Sequence, residues 1–303
     1  MVGGHGVRLS ERSCVRSAEL FLALEADAGA RGERSAGEVL IASAVERSDL
    51  AAAFPWLLKT ELCARFDDER EIVCASRRTM FDDLIIDEHR EERPDAETAS
   101  ELLAAAAAAR FDEVFAPDQG AARLIERLAF AATALPEEGW PDVSRDGLAA
   151  RLPVVCRGLT SFAELRRYDW GRALGRELDQ RRRGLLDEEV PDRIAVPSGS
   201  RVAVDYGQAA APSGAPILAA SIQELFGLQS APKIARGRVS VAVHLLAPNG
   251  RPVQVTTDLD SFWRRTYPEV RKELRARYPK HAWPEDPMNA APTARPKRRK
   301  SRR

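Results

Sequence analysis

Four histidines, His5, His89, His244 and His281, stand far apart in the sequence, and Cys14, Cys63, Cys74 and Cys156 show no C-x-x-C spacing. Neither set spells out a zinc site, and reduced structural thiols in a cytoplasm fit the cysteines. His244 falls within an apolar run and reads as structural. Asp87-Glu88 follows apolar Leu84-Ile85-Ile86 and imitates a carboxylate pair that faces Mg²⁺-nucleotide. Such a pair needs a loop that holds the phosphates, and no G-x-x-x-x-G-K-S/T occurs anywhere in the chain. His89 also follows Glu88 directly, where that motif has one residue between. The segment therefore reads as a strand running out into a solvated acidic loop. Gly3-Gly4-His5-Gly6 lacks the Lys-Ser/Thr of a phosphate loop and reads as a turn into a strand. No catalytic residue, metal ligand or cofactor site is expected.

Contact with a polyanion is the chemistry that the residue types do support. Lys/Arg and Asp/Glu balance at 46 each, yet residues 264–303 hold 14 basic against 4 acidic residues, leaving 32 and 42 in residues 1–263. One basic end on a neutral chain points to an anionic partner met from that end. Trp263, Tyr267, Tyr278 and Trp283 lie among these cations, and stacking surfaces beside cations are what single-stranded nucleic acid needs. The candidate phosphate contacts are Lys233, Arg236 and Arg238 on a Gly-containing loop, and Arg264, Arg265, Arg271, Lys272 and Lys280 further on. Trp263 and Trp283 are candidate stacking groups, with a place in the core as the competing reading. The tail PTARPKRRKSRR is low-complexity and is expected to be disordered, suiting salt-dependent, sequence-independent RNA contact. Arg181-Arg182-Arg183 reads as a solvated helix face.

The elements that position these residues follow from local pattern. Val239–Leu246 and Val253–Thr257 flank Asn249-Gly250, which tolerates the positive φ of a tight hairpin turn. Asp258, Asp260 and Ser261 offer caps for a basic helix from about Phe262, within which Pro268 forces a kink or a restart. Arg193–Val196 and Arg201–Asp205 pair across Pro197-Ser198-Gly199-Ser200, and Pro216–Leu225 runs from strand to helix. Upstream, strands are expected at Leu20–Glu25, Glu38–Val45, Leu62–Phe66 and Glu71–Ser76, with a short helix capped by Ser48-Asp49. Helices are expected from a start at Pro94–Glu97 continuing over Glu101–Val114, and over Gln119–Leu135, Asp146–Leu152 and Glu164–Leu186. The fold class is α+β: an OB-like small β-barrel module (1–92), a helical middle (93–190), an α+β module with hairpin and basic helix (191–288), and a basic tail (289–303).

The stretch RPVQVTTDLDSFWRRTYPEVRKELRARYPKHAWPEDP (251–287) resembles the C-terminal signature of the HrpB-type DEAH-box ATP-dependent helicases of bacteria. DRIAVPSGSRVAVDY (192–206), IQELFGL (222–228) and PKIARGRVSVAVHLLAP (232–248) fall in the order that family shows, and GGHGVRL (3–9) resembles the start of its OB-like module. The resemblance implies a nucleic-acid-binding accessory region whose two motor domains lie upstream or act in trans. The chain itself is then expected to be a fragment, a misannotated start or one half of a split gene that neither binds nor hydrolyses ATP. Single-stranded RNA is the implied partner. The alternative is a protein-interaction module that docks onto a motor or another acidic partner. No run of about 18 apolar residues suggests a membrane span, and no signal peptide is evident, so a cytoplasmic location is expected.

Overall fold

A computed structural model describes residues 1–3, 6–27, 37–91, 94–207 and 214–293. The fold is mixed α+β and divides into two compact units, Met1–Val114 with Leu152–Arg166, and Phe115–Arg151 with Arg167–Arg303. The helical middle, 93–190, is shared between them. His5 and the basic tail from residue 294 lie outside the described residues.

In the first unit, β1 (Val7–Leu9), β2 (Leu20–Asp27) and β3 (Gly37–Val45) form a sheet of order β1-β3-β2, with β1 parallel to β3. A helix over Arg47–Ala53 follows, and the Asp49 carboxylate accepts from the Glu46 N–H at 3.0 Å, placing the expected cap inside the first turn. β4 (Leu58–Asp67), β5 (Ile72–Phe81) and β6 (Leu84–Glu91) make an antiparallel meander. The described strands pair as two separate three-stranded sheets and not as the expected closed barrel, since closure requires a ladder joining their edges. One face of the meander buries Val73 and Ala75 against the helix Ala96–Ala109, whose small Ala99, Ala104 and Ala107 allow close approach. Glu71 closes this packing. Its carboxylate receives Arg166 at 2.6 Å and Arg110 at 3.0 Å, while Arg110 lies over the Phe162 ring, 5.1 Å from its centroid. The Arg166 bond, followed by its charge and that of Arg110, holds the Glu71 carboxyl below the usual carboxylate range despite some desolvation.

In the second unit the helix Gln119–Ala134 packs with Trp170–Glu177 and Gln180–Glu189. The single helix expected over Glu164–Leu186 is interrupted because Asp169 and Asp179 each cap a new start, accepting from Arg172 N at 2.8 Å and Arg182 N at 2.7 Å. Trp170 is buried, with ring edges against Tyr168 and Phe115. Seven strands follow: β7 (Arg193–Ala195), β8 (Arg201–Asp205), β9 (Ile217–Ser221), β10 (Lys233–Ile234), β11 (Val239–Ser240), β12 (Ala242–Leu246) and β13 (Pro252–Thr256). Five of them form a sheet of order β13-β12-β9-β8-β7, while β10 and β11 pair on their own. β9 and β12 are parallel, so the chain between them must cross over, and it carries the β10–β11 loop on the way. Leu218, Val243, Leu245, Leu225 and Phe226 fill the core beneath this sheet.

Candidate nucleic-acid interface

β12 and β13 form the expected hairpin. Gly250 has φ +84° and donates its N–H to Ala247 O at 2.8 Å, a conformation that β-branched residues resist. Beyond β13 the Asp258 carboxylate accepts from Ser261 N at 3.0 Å and starts the helical turn Leu259–Ser261. A π-helical turn, Phe262–Thr266, comes next, with Tyr267 N–H reaching back to Phe262 O, and the helix Tyr267–Arg277 then carries Pro268 in its first turn. Proline lacks an N–H and is tolerated where a helix begins. The expected restart at Pro268 is thus achieved by a widened turn and not by a sharp kink.

The widened turn also brings Phe262, Trp263 and Tyr267 to one buried side, with Trp263 and Tyr267 ring centroids 5.4 Å apart and Phe226 6.1 Å from each. Burial pushes the Tyr267 hydroxyl up to about 12. Trp263 is 3% exposed and its Nε1–H donates to Leu228 O at 2.9 Å. Trp283 is 8% exposed and its Nε1–H donates to Tyr278 O at 2.9 Å. Both rings are core with their polar atoms satisfied, which corrects the expectation that they stack on bases.

The cations divide in the same way. Arg236 reaches Glu137 at 3.1 Å and Glu138 at 2.6 Å, and Arg238 reaches Glu137 at 2.7 Å and Ala134 O at 3.0 Å. The loop between them is held in left-handed backbone at Ala235, Arg236 and Gly237, and its Ala235 N–H donates to Glu189 O at 2.8 Å. Both arginines are therefore engaged within the unit. Glu138, almost fully buried, also receives Arg181, while Arg182 donates to Glu138 O and Arg183 to Gly175 O and Leu178 O, so Arg181 and Arg183 are exposed as expected and at the same time tie their helix to its neighbours. Arg236 first and Arg181 second hold the Glu138 carboxyl below its usual range. Arg271 is structural too, donating to Trp283 O at 2.9 Å and to Glu285 at 2.9 Å.

What projects is a smaller set. Arg264 and Lys272 are exposed and pair only along their own helix, with Asp260 at 3.0 Å and Glu269 at 2.8 Å, pairs worth little in water. Lys233, Arg265 and Lys280 are exposed and have no ion-pair partner among the described residues. The same holds for Arg275 and Arg277 on the same helix, which are not among the candidate contacts named from the sequence. Their signal is the outward register left once Tyr267 and Leu274 are buried.

Residues 152–287 match the model of the family described as ATP-dependent helicase C-terminal, HrpB_C. The chain is 35% identical over 264 residues to the ATP-dependent RNA helicase HrpB of Escherichia coli strain K12, covering 86% of this chain and 32% of that protein. Two solved structures, a crystal structure of the E. coli DExH-box NTPase HrpB and one of the Escherichia coli DEAH/RHA helicase HrpB, superpose with TM-scores of 0.64 and 0.54 at 33% and 30% identity. Each comparison covers 91% of this chain and 34% of the other. The chain contains an HrpB-type helicase C-terminal region. It spans about a third of the length of the relatives it matches.

Elsewhere in the chain the Asp87-Glu88 motif is occupied. Asp87 sits on β6 between Arg47 at 3.0 Å and His89 at 2.7 Å, and Glu88 receives Arg78 at 2.9 Å, so both carboxylates brace strands and do not extend into an acidic loop. His244 pairs with Val255 and Ala219 inside the five-stranded sheet, and His281 lies edge-on to Tyr278. Among the described residues no group of three His, Cys, Asp or Glu side chains could hold a metal, and no helix is long and apolar enough to cross a membrane. Cys156 is buried, which pushes its thiol up to about 11.

Proposed function

We propose that this HrpB-type region is an accessory module that grips single-stranded RNA beside a DEAH-box motor, which the remainder of a longer protein or a separate chain supplies. The observation that carries the reading is the set of outward cations without carboxylate partners among the described residues, Lys233, Arg265, Arg275, Arg277 and Lys280, on the module that matches the helicase C-terminal family. Exposed guanidinium and ammonium groups displace counterions from a phosphate backbone and read no sequence. The buried tryptophans make the grip electrostatic, with Trp263 and Trp283 holding the scaffold. The first unit stands in this reading as the OB-like module. What supports it is six strands in two sheets with a small helical segment between β3 and β4, although they do not close into a barrel. Free thiols fit a cytoplasmic setting.

A second reading, docking of the hairpin and helix onto an acidic protein, is favoured by Val255, which is 51% exposed on the edge strand β13. Fluorescence anisotropy with a labelled single-stranded RNA separates the two. Arg265→Glu with Lys280→Glu is expected to weaken RNA binding about tenfold at low salt and to flatten its salt dependence. Unchanged affinity in a variant that melts like the parent would set the RNA reading aside in favour of protein docking.

A further inference from the structure

The two faces of the β4–β5–β6 meander differ in kind. One is the buried face that carries Val73 and Ala75. On the other, Arg65 stands opposite Cys74, Ser76 lies between Cys63 and Arg90, and Arg78 lies between Glu61 and Glu88. Period-two alternation on antiparallel strands puts these residues on one solvent-facing surface. A groove of about 360 Å³ opens there, lined among others by Arg65, Arg70, Ser76, Glu88 and Arg90.

Its charge is not balanced. Glu88 is already engaged, held below the usual carboxylate range by the Ser76 hydroxyl first and by Arg78 next. Asp67, the other acid lining the groove, accepts from Glu69 N at 3.2 Å and Arg70 N at 3.1 Å, closing the β4–β5 turn. Arg65, Arg70 and Arg90 are exposed, and none has a carboxylate within ion-pair distance among the described residues; the charge of Arg65 reaches Glu88 from further away, and Arg90 donates to the Cys74 thiol at 3.8 Å. Three arginines lining one groove, Arg65 and Arg90 from the sheet and Arg70 from the β4–β5 turn, match the oxygens of a phosphoryl group, which arginine forks engage two at a time.

We infer that the solvent face of β4–β5–β6 is a phosphoryl-binding site, with Arg65, Arg70 and Arg90 as its contacts. The phosphoryl group can come from a free phosphate or pyrophosphate or from a nucleic-acid backbone. Only the backbone source rests on the RNA reading above.

The test compares the full chain with Arg65→Gln/Arg90→Gln, checked for a cooperative melt. Sodium pyrophosphate is titrated calorimetrically against sodium chloride at matched ionic strength, and single-stranded RNA is titrated by anisotropy at two salt concentrations. The expected result is loss of pyrophosphate binding and a roughly tenfold weaker RNA complex, its log–log salt slope shallower by about 0.7 for each phosphate contact removed. Pyrophosphate binding lost with RNA affinity unchanged would support the site and assign it a free phosphoryl ligand. An RNA loss without pyrophosphate binding by the parent would support it with the backbone as source. Neither probe distinguishing variant from parent would overturn it. If the double variant melts poorly, Arg70→Gln on the exposed turn carries the same comparison. Failure of the RNA reading is seen separately, because Arg265→Glu/Lys280→Glu leaves pyrophosphate binding on the first unit untouched.

Discussion

Trp263 shows how a side chain suited to two roles is assigned one by its neighbours. Its indole is surrounded by Phe226, Phe262 and Tyr267, and its N–H satisfies the Leu228 carbonyl. Trp263→Phe keeps most of the buried ring area and removes the hydrogen bond, leaving Leu228 O without that donor. The expected loss in urea unfolding is about 1 kcal/mol, with RNA affinity unchanged. A stacking residue would instead lose affinity while stability held. An aromatic-basic run in a sequence displays composition, and the π turn that rotates Trp263 inward is set by how Pro268 and the core beneath it are accommodated. Arg236 and Arg238 illustrate a longer-range version of the same difficulty. Their partners Glu137 and Glu138 lie about a hundred residues upstream, and no local spacing announces the pairing. Lys233, Arg265 and Lys280 are exposed, with no ion-pair partner among the described residues.

At the scale of elements, what is dictated locally was legible. Asn249-Gly250 fixes the hairpin, Asp258 the helix start, and Gly199, at φ +82°, the β7–β8 turn. Boundaries set by competing caps were not, as where Asp169 and Asp179 divide the helix expected over Glu164–Leu186. Strand partnership was the least legible, since apolar strands allow several pairings and only the full chain selects two separate sheets in the first unit. Glu71 ties three elements of the first unit through Arg110 and Arg166, and its carboxyl is held below the usual range. A depressed folded-state value stabilises the fold above the unfolded carboxyl's pKa of about 4.3, and that contribution disappears as pH falls through the folded value. Glu71→Gln is therefore expected to unfold at lower urea than the parent at neutral pH, with the gap closing in acid. A gap that stays constant from neutral to acid pH would show that the charge of Glu71 is not what matters.

Across the whole molecule, net neutrality conceals a basic end, and half of its 14 cations lie in residues 294–303. Thr293 N–H donates to Gln223 O at 2.9 Å, so the chain is tied to the second unit immediately before that tail. Cutting after Thr293 should therefore leave the fold intact and remove only the polycation. The relatives are about three times longer than this chain, and an RNA contact made here would act alongside whatever their remaining length contributes. The central claim is that the folded second unit, and not merely its tail, contacts RNA. Anisotropy of a labelled single-stranded RNA, titrated with the parent and with the chain ending at Thr293 at two salt concentrations, tests it most directly. The expected result is binding that survives the truncation with a reduced but still negative log–log salt slope. Binding that vanishes with the tail would contradict the claim and reduce the RNA contact to a polycation effect.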